Sequence, residues 1–223
     1  MIFNLMQALR GGNIREFISL SVGLLAALFI AIDVHEYAHA WVADELGDPT
    51  PRNMGRLTLN PLAHLDPVGT LMLLFAGFGW GKPVPVNPYY LRPGWRKGTA
   101  MVSLAGPMAN LMMATIFALP LRLEHLIGGS PLFSSFSQTF WVIMYINVML
   151  AVFNLIPIAP LDGFKVALGL LPPRWATSLA RYEAYGPMIL MLILVLGNYG
   201  GLNILGALMW PAIRFLVRLL VGQ

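Results

Sequence analysis

Long apolar runs separated by short polar stretches dominate this chain, and the first run is the most informative. Residues 17–43 are apolar through Ile32 and then carry Asp33, His35, Glu36 and His39 in the last turns. A helix needs roughly 20 apolar residues to cross a hydrocarbon core about 30 Å thick. The run therefore predicts a membrane span with an anomalous polar end. Residues 44–66 are polar and turn-rich, with Asp48-Pro49-Thr50-Pro51 and Asn60-Pro61, and predict a loop holding a short extended stretch at 56–59. The next apolar run, 67–80, is short and contains Gly69, Gly77 and Gly79, which suits a re-entrant segment as well as a crossing. In Lys82-Pro83-Val84-Pro85-Val86-Asn87-Pro88 the alternating prolines forbid a helix and predict an extended strand with one free edge.

Two further spans are expected at 99–121 and 139–156, joined by a loop over 122–138. The second runs into Asn154-Leu155-Ile156-Pro157-Ile158-Ala159-Pro160-Leu161-Asp162-Gly163, where two prolines end the helix and leave Asp162 just beyond the break. A short helix over 164–171 follows, and then a helical hairpin at about 185–220, turning at 197–201 and interrupted in its second limb by Pro211. The expected fold is an all-α polytopic membrane protein with about five to six transmembrane or re-entrant helices and a short β-like membrane-associated loop. One membrane-embedded domain covers 1–223, with a core at about 18–171 and the hairpin after it.

Composition supports this solvent assignment. The 223 residues are 57% hydrophobic and 11% charged, against about 25% charged in an ordinary soluble domain, so much of the surface faces lipid. The net charge of +4 does not point to nucleic acid, because basic residues of membrane proteins gather on cytoplasmic loops. If the first span enters from outside, eleven of the fourteen Lys and Arg residues fall inside, leaving Arg10, Arg15 and Arg122 outside. The polar end of the first span and Asp162 then lie near the cytoplasmic face. No small-residue cleavage site follows the N-terminal stretch, which is read as retained. The absence of cysteine excludes disulfides and thiolate ligands, so a metal would need His, Asp or Glu.

His35-Glu36-Tyr37-Ala38-His39 supplies such a set. Residues four apart share a helical face, so both imidazoles reach one ion, while Glu36 projects about 100° away and stands beside a metal-activated water as general base. Two histidines merely packed on a helix would be the plain alternative, but ionisable groups inside a span mark function. A catalytic zinc takes three protein ligands and keeps one open position. Asp162 is the best third candidate, since irregular backbone at membrane depth is tolerated where it lines a cavity. It could equally cap the short helix that follows.

On the strength of His35–His39 and of Asn154–Gly163, which match H-E-x-x-H and N-x-x-P-x-x-P-L-D-G, the chain resembles the site-2 protease family of intramembrane zinc metalloproteases. The resemblance covers about 18–171 and includes Gly106-Pro107-Met108-Ala109-Asn110, residues 60–70 with His64, and residues 79–88. It implies one Zn2+ per chain held by His35, His39 and Asp162, Glu36 as catalytic base, and Asn154 as a polar group facing the site. Asn154 would hydrogen-bond the oxyanion or the substrate backbone, or else bridge two helices. His64 is a weaker candidate, because a lone loop histidine more often lies at the surface. Val84 and Val86 would bind an unwound substrate strand by β-addition. The family's PDZ and CBS domains have no counterpart, so a minimal member is expected. It would be a multi-pass protein of a prokaryotic cell membrane, with the active site nearer the cytoplasmic side, transmembrane proteins as substrates and the lipid bilayer as surroundings. A transporter or a zinc-binding membrane adaptor without protease activity would not need Glu36, and two histidines with one carboxylate also accept other divalent metals.

Overall fold

The computed structural model describes residues 11, 14–69, 72, 81–127, 131–199 and 203–222, and within them the architecture is helical. Helix α1 is Ile14–Glu45, and the short helices α2 (Thr50–Asn53) and α3 (Pro61–His64) follow in the polar stretch. Next come α4 (Trp95–Ile127), α5 (Pro131–Asn154), α6 (Asp162–Leu170), α7 (Pro173–Ala180), α8 (Gly186–Tyr199) and α9 (Ile204–Val221). By length and apolarity 95–124, 136–154 and 204–221 can each cross a membrane, and the bent pair 173–180 with 183–197 is a fourth if it forms one span. Of the expected hairpin turn at 197–201, residues 197–199 still belong to α8 and 200–201 lie outside the described residues, as do 70–71 and 73–80 of the 67–80 segment.

Two expectations change. The loop at 122–138 shrinks, because α4 continues to Ile127 and α5 begins at Pro131. Leu121, Arg122, Leu123 and Glu124 are good helix formers that extend the helix past its apolar stretch, and proline is favoured at a helix start. Among the described residues no strand forms: the β-like loop reduces to one isolated bridge between Leu65 and Gly81.

Small residues set the central packing. On α1, Ala27, Ala31, His35, His39 and Ala43 recur every four residues and are all buried. On α4, Val102, Gly106, Asn110, Ala114 and Ala118 do the same. Rows of this kind interlock as ridges and grooves and let two backbones approach closely. The rows meet antiparallel, since His39 contacts Val102 while Ala31 contacts Asn110. Helix α5 closes the groove: Val142, Ile143 and Ile146 pack on Ala27 and Ala31, and Met144 and Val148 pack with Ala114, Ala118 and Ile213 of α9.

The C-terminal helix also changes the charge count. A Cβ at Gly222 would stand 3.4 Å from Arg122 Nε, so Arg218, one turn earlier, shares an end of the bundle with Arg122. The assignment of these two arginines to opposite sides is thereby corrected, and the inside excess is smaller than the sequence count.

Candidate metal centre

His35 and His39 lie one turn apart on the buried row of α1, and their Nε2 atoms are 3.0 Å from each other. Asp162 opens α6, with Leu161 at the N-cap and no side chain capping the helix, so capping is not its role. Its Oδ2 is 3.1 Å from His35 Nε2 and 3.2 Å from His39 Nε2. Gly163 makes this approach possible, because a Cβ there would stand 2.2 Å from the Leu155 carbonyl oxygen at the end of α5.

The other ring nitrogens decide the protonation of this cluster. His39 Nδ1 lies 2.7 Å from the Val102 carbonyl, which can only accept, so Nδ1 carries the proton. His35 Nδ1 lies 2.6 Å from Asn110 Oδ1. The Asn110 amide is oriented by its own donors: Nδ2 gives one hydrogen to Ala31 O at 2.8 Å and the other to Asn147 Oδ1 at 2.9 Å. Asn147 is fixed in turn by donation from its Nδ2 to Ile143 O at 2.9 Å. In their neutral form both imidazoles therefore turn bare Nε2 lone pairs toward each other and toward a carboxylate. Three acceptors converging without a donor call for a cation.

The spacing suits zinc. Donors held at about 2.0–2.1 Å around a tetrahedral centre stand roughly 3.3 Å apart, close to the 3.0–3.2 Å separations here. Among the described residues these three form the one group of histidines and carboxylates that could hold a metal. Hydrogen bonds from ligand imidazoles to fixed acceptors are the usual means of orienting a metal site; here the imidazoles bond from α1 to α4, and Asn110 passes the link on to α5 through Asn147. Gly106 completes the seat. A Cβ at this position would be 2.5 Å from His39 Nε2 and 2.6 Å from His35 Cε1, so only glycine admits both rings.

Glu36 is half-buried and accepts from the Val84 backbone N–H through Oε2 at 3.2 Å. Arg56, buried, reaches the same segment and donates to the carbonyls of Lys82 and Pro83. Burial pushes its guanidinium pKa down, and the Glu36 carboxylate pulls it back up.

The remaining candidates fall differently. His64 is fully buried, not at the surface: its Nε2 donates to Thr58 O at 2.8 Å and stands 3.6 Å from Asp33 Oδ1, apart from the three-donor cluster. Asn154 donates from Nδ2 to Leu150 O of its own helix at 3.1 Å. Val86 packs with Ala43, Leu91 and Val102, and Val84 is half-buried with its N–H on Glu36. Asn147, Arg56 and the seating role of Gly106 were not anticipated from the sequence. The available signal for Asn147 was an amide in the middle of an apolar span.

Comparison with known proteins agrees with this chemistry. Residues 120–197 match the model of peptidase family M50, a stretch that holds Asp162 but not the two histidines. The chain is 38% identical over 203 residues to "Putative zinc metalloprotease YwhC" of Bacillus subtilis (strain 168), covering 88% of each chain. It is 30% identical over 190 residues to "Putative zinc metalloprotease Rip2" of Mycolicibacterium smegmatis, covering 81% of this chain and 69% of the other. "Zinc metalloprotease MJ0392" of Methanocaldococcus jannaschii is 22% identical over 175 residues, 76% of this chain and 42% of that one. No solved structure matches.

Proposed function

This chain belongs to peptidase family M50, the site-2 protease family of zinc metalloproteases, and from that premise we propose that it hydrolyses peptide bonds in or beside transmembrane segments of membrane-protein substrates. One zinc ion per chain is held by His35, His39 and Asp162. The observation that carries the reading is the convergence of two bare imidazole nitrogens and one carboxylate oxygen from two separate helices. The catalytic domain spans 1–223 with its core at about 18–171. The protein resides in a prokaryotic cell membrane with the site nearer the cytoplasmic side, where Arg52, Arg56, Lys82, Arg92, Arg96 and Lys97 flank the polar end of α1.

Zinc bound at this site supplies a Lewis acid that polarises a peptide carbonyl and acidifies a water. The residues of the chain do the rest. His35 and His39 stay in one tautomer because Asn110 and Val102 accept their Nδ1 protons. Glu36 takes a proton from the attacking water and returns it to the leaving nitrogen. Asn154 offers an amide to the substrate backbone or to the developing oxyanion, which requires it to leave the Leu150 carbonyl when substrate enters. A substrate helix hides its peptide bonds in its own hydrogen bonds, so it must unwind locally, and the extended residues Val84 and Val86 receive the opened strand, while the His64 carbonyl, which accepts from Lys82 N–H at 2.8 Å, anchors the start of that segment.

The test is metal content and proteolysis of detergent-purified protein. Wild type should carry about one zinc per chain, and Asp162→Ala and His39→Ala should each lose it. Glu36→Gln should keep the metal and lose cleavage of a membrane-spanning test substrate. A wild-type chain that stays metal-free when zinc is supplied, or a Glu36→Gln variant that cleaves normally, would overturn the reading.

A further inference from the structure

The extended segment 82–87 lies against the site without joining a sheet: its ends are tied by Lys82 N–H to His64 O at 2.8 Å and Asn87 N–H to Asp48 Oδ2 at 2.6 Å, and one buried cation holds the carbonyls that precede Val84. Arg56 is only 5% exposed, and its Nη2 donates to Lys82 O and, at 3.2 Å, to Pro83 O. Two carbonyls on a single guanidinium fix the path of the backbone between them. The next residue presents the Val84 N–H, which donates to Glu36 Oε2 at 3.2 Å. Pro83 and Pro85 have no N–H, so Val84 is the one amide donor in this tripeptide.

We propose that Arg56 is a positioning residue for Glu36, acting through the backbone of 82–84. The proposal rests on the reading of Glu36 as general base. Arg56 sets where the Val84 N–H points, and that N–H holds Oε2, leaving Oε1 to face the water whose proton is taken. Without Arg56 the carbonyls of Lys82 and Pro83 lose their donor, the Val84 N–H drifts, and the Glu36 carboxylate is free to change rotamer. Misplacement of a catalytic group by about 1 Å can cost on the order of 100-fold in rate. Among the described residues none of His35, His39 and Asp162 hydrogen-bonds to Arg56 or to residues 82–87, so metal retention is not part of the predicted loss.

The experiment compares wild type, Arg56→Gln, Arg56→Lys and Glu36→Gln as full chains in detergent. Dye-labelled β-casein serves as an unfolded polypeptide that needs no unwinding. Hydrogen–deuterium exchange reads the segment directly: between Pro83 and Pro88 only Val84, Val86 and Asn87 carry backbone amides, and because Asn87 N–H is held separately by Asp48 Oδ2, the readout is taken at the Val84 amide on Glu36. Arg56→Gln should speed exchange there by about tenfold or more, keep the wild-type zinc content, and lower kcat by roughly 10- to 100-fold with KM nearly unchanged. Arg56→Lys, which can still donate to one carbonyl, should recover part of both effects and serves if the glutamine variant fails to fold. Unchanged exchange in both variants would show that Arg56 does not hold the segment. Faster exchange with unchanged kcat would show that the segment does not position Glu36. If Glu36→Gln cleaves as wild type does, the general-base reading itself fails, and the proposal with it.

Discussion

Replacing Gly106 by alanine tests the centre at its tightest point. The added methyl would stand 2.5 Å from His39 Nε2, 2.6 Å from His39 Cε1 and 2.6 Å from His35 Cε1, where ordinary contact begins near 3.4 Å. Something must therefore retreat by about 0.9 Å, several times the roughly 0.2 Å tolerance of a metal–ligand bond. The rings cannot simply swing aside, because each is tethered at Nδ1, His35 to Asn110 at 2.6 Å and His39 to the Val102 carbonyl at 2.7 Å. Moving α4 away from α1 instead stretches those same two bonds. Either route lowers zinc affinity by ~100-fold or more, at or beyond the upper end of what losing a ligand-orienting hydrogen bond costs. Zinc content after equilibration with a competing chelator measures it. Gly23→Ala on α1, where nothing lies within 4 Å, serves as the control for a helix-interior substitution and should keep its zinc. A Gly106→Ala protein with wild-type zinc affinity would refute the close seating of the two imidazoles against α4.

Other perturbations separate the supports of the site. Asn110→Leu removes the acceptor that orients His35 and should weaken zinc binding by ~10- to 100-fold, measured by the same chelator competition. Asn147→Leu leaves one Asn110 hydrogen unpaired in a buried setting but keeps the bond to His35; a stability loss of about 0.6–2 kcal/mol with a smaller change in zinc affinity is expected from thermal unfolding and metal titration, and equal zinc losses in the two variants would contradict the order of the chain. Arg96 holds the far end of the helix that begins with Asp162, donating to Leu168 O at 2.9 Å and Leu171 O at 2.6 Å. Arg96→Gln should therefore speed zinc release to a chelator by roughly tenfold and raise amide exchange across 162–171; unchanged release would show that α6 keeps its place without the tie.

The donor set was legible because its chemistry is local. Two histidines four residues apart state their common face through helical periodicity alone, and a carboxylate just past a double proline break stands out in an apolar chain. Hydropathy was a poorer guide to helix ends, since it reports where lipid stops and not where backbone hydrogen bonding stops; Arg122 and Glu124 end the apolar run but lie inside α4. The supports of the site were hidden for a different reason. Asn147 and Asn110 meet only because α5 and α4 cross at those residues, and a hydrogen bond between spans has no signature in either span by itself. One part of that arrangement was nevertheless written into the chain. The row Ala27, Ala31, His35, His39, Ala43 and the row Val102, Gly106, Asn110, Ala114, Ala118 share a four-residue step, and small residues at that step mark a close helix contact. Read together, the rows pair α1 with α4 and put the glycine opposite the imidazoles. The same substitution of a small residue by a larger one should then have two consequences, lost packing at Ala114 or Ala118 and displaced imidazoles at Gly106, which only the meeting of the two rows explains.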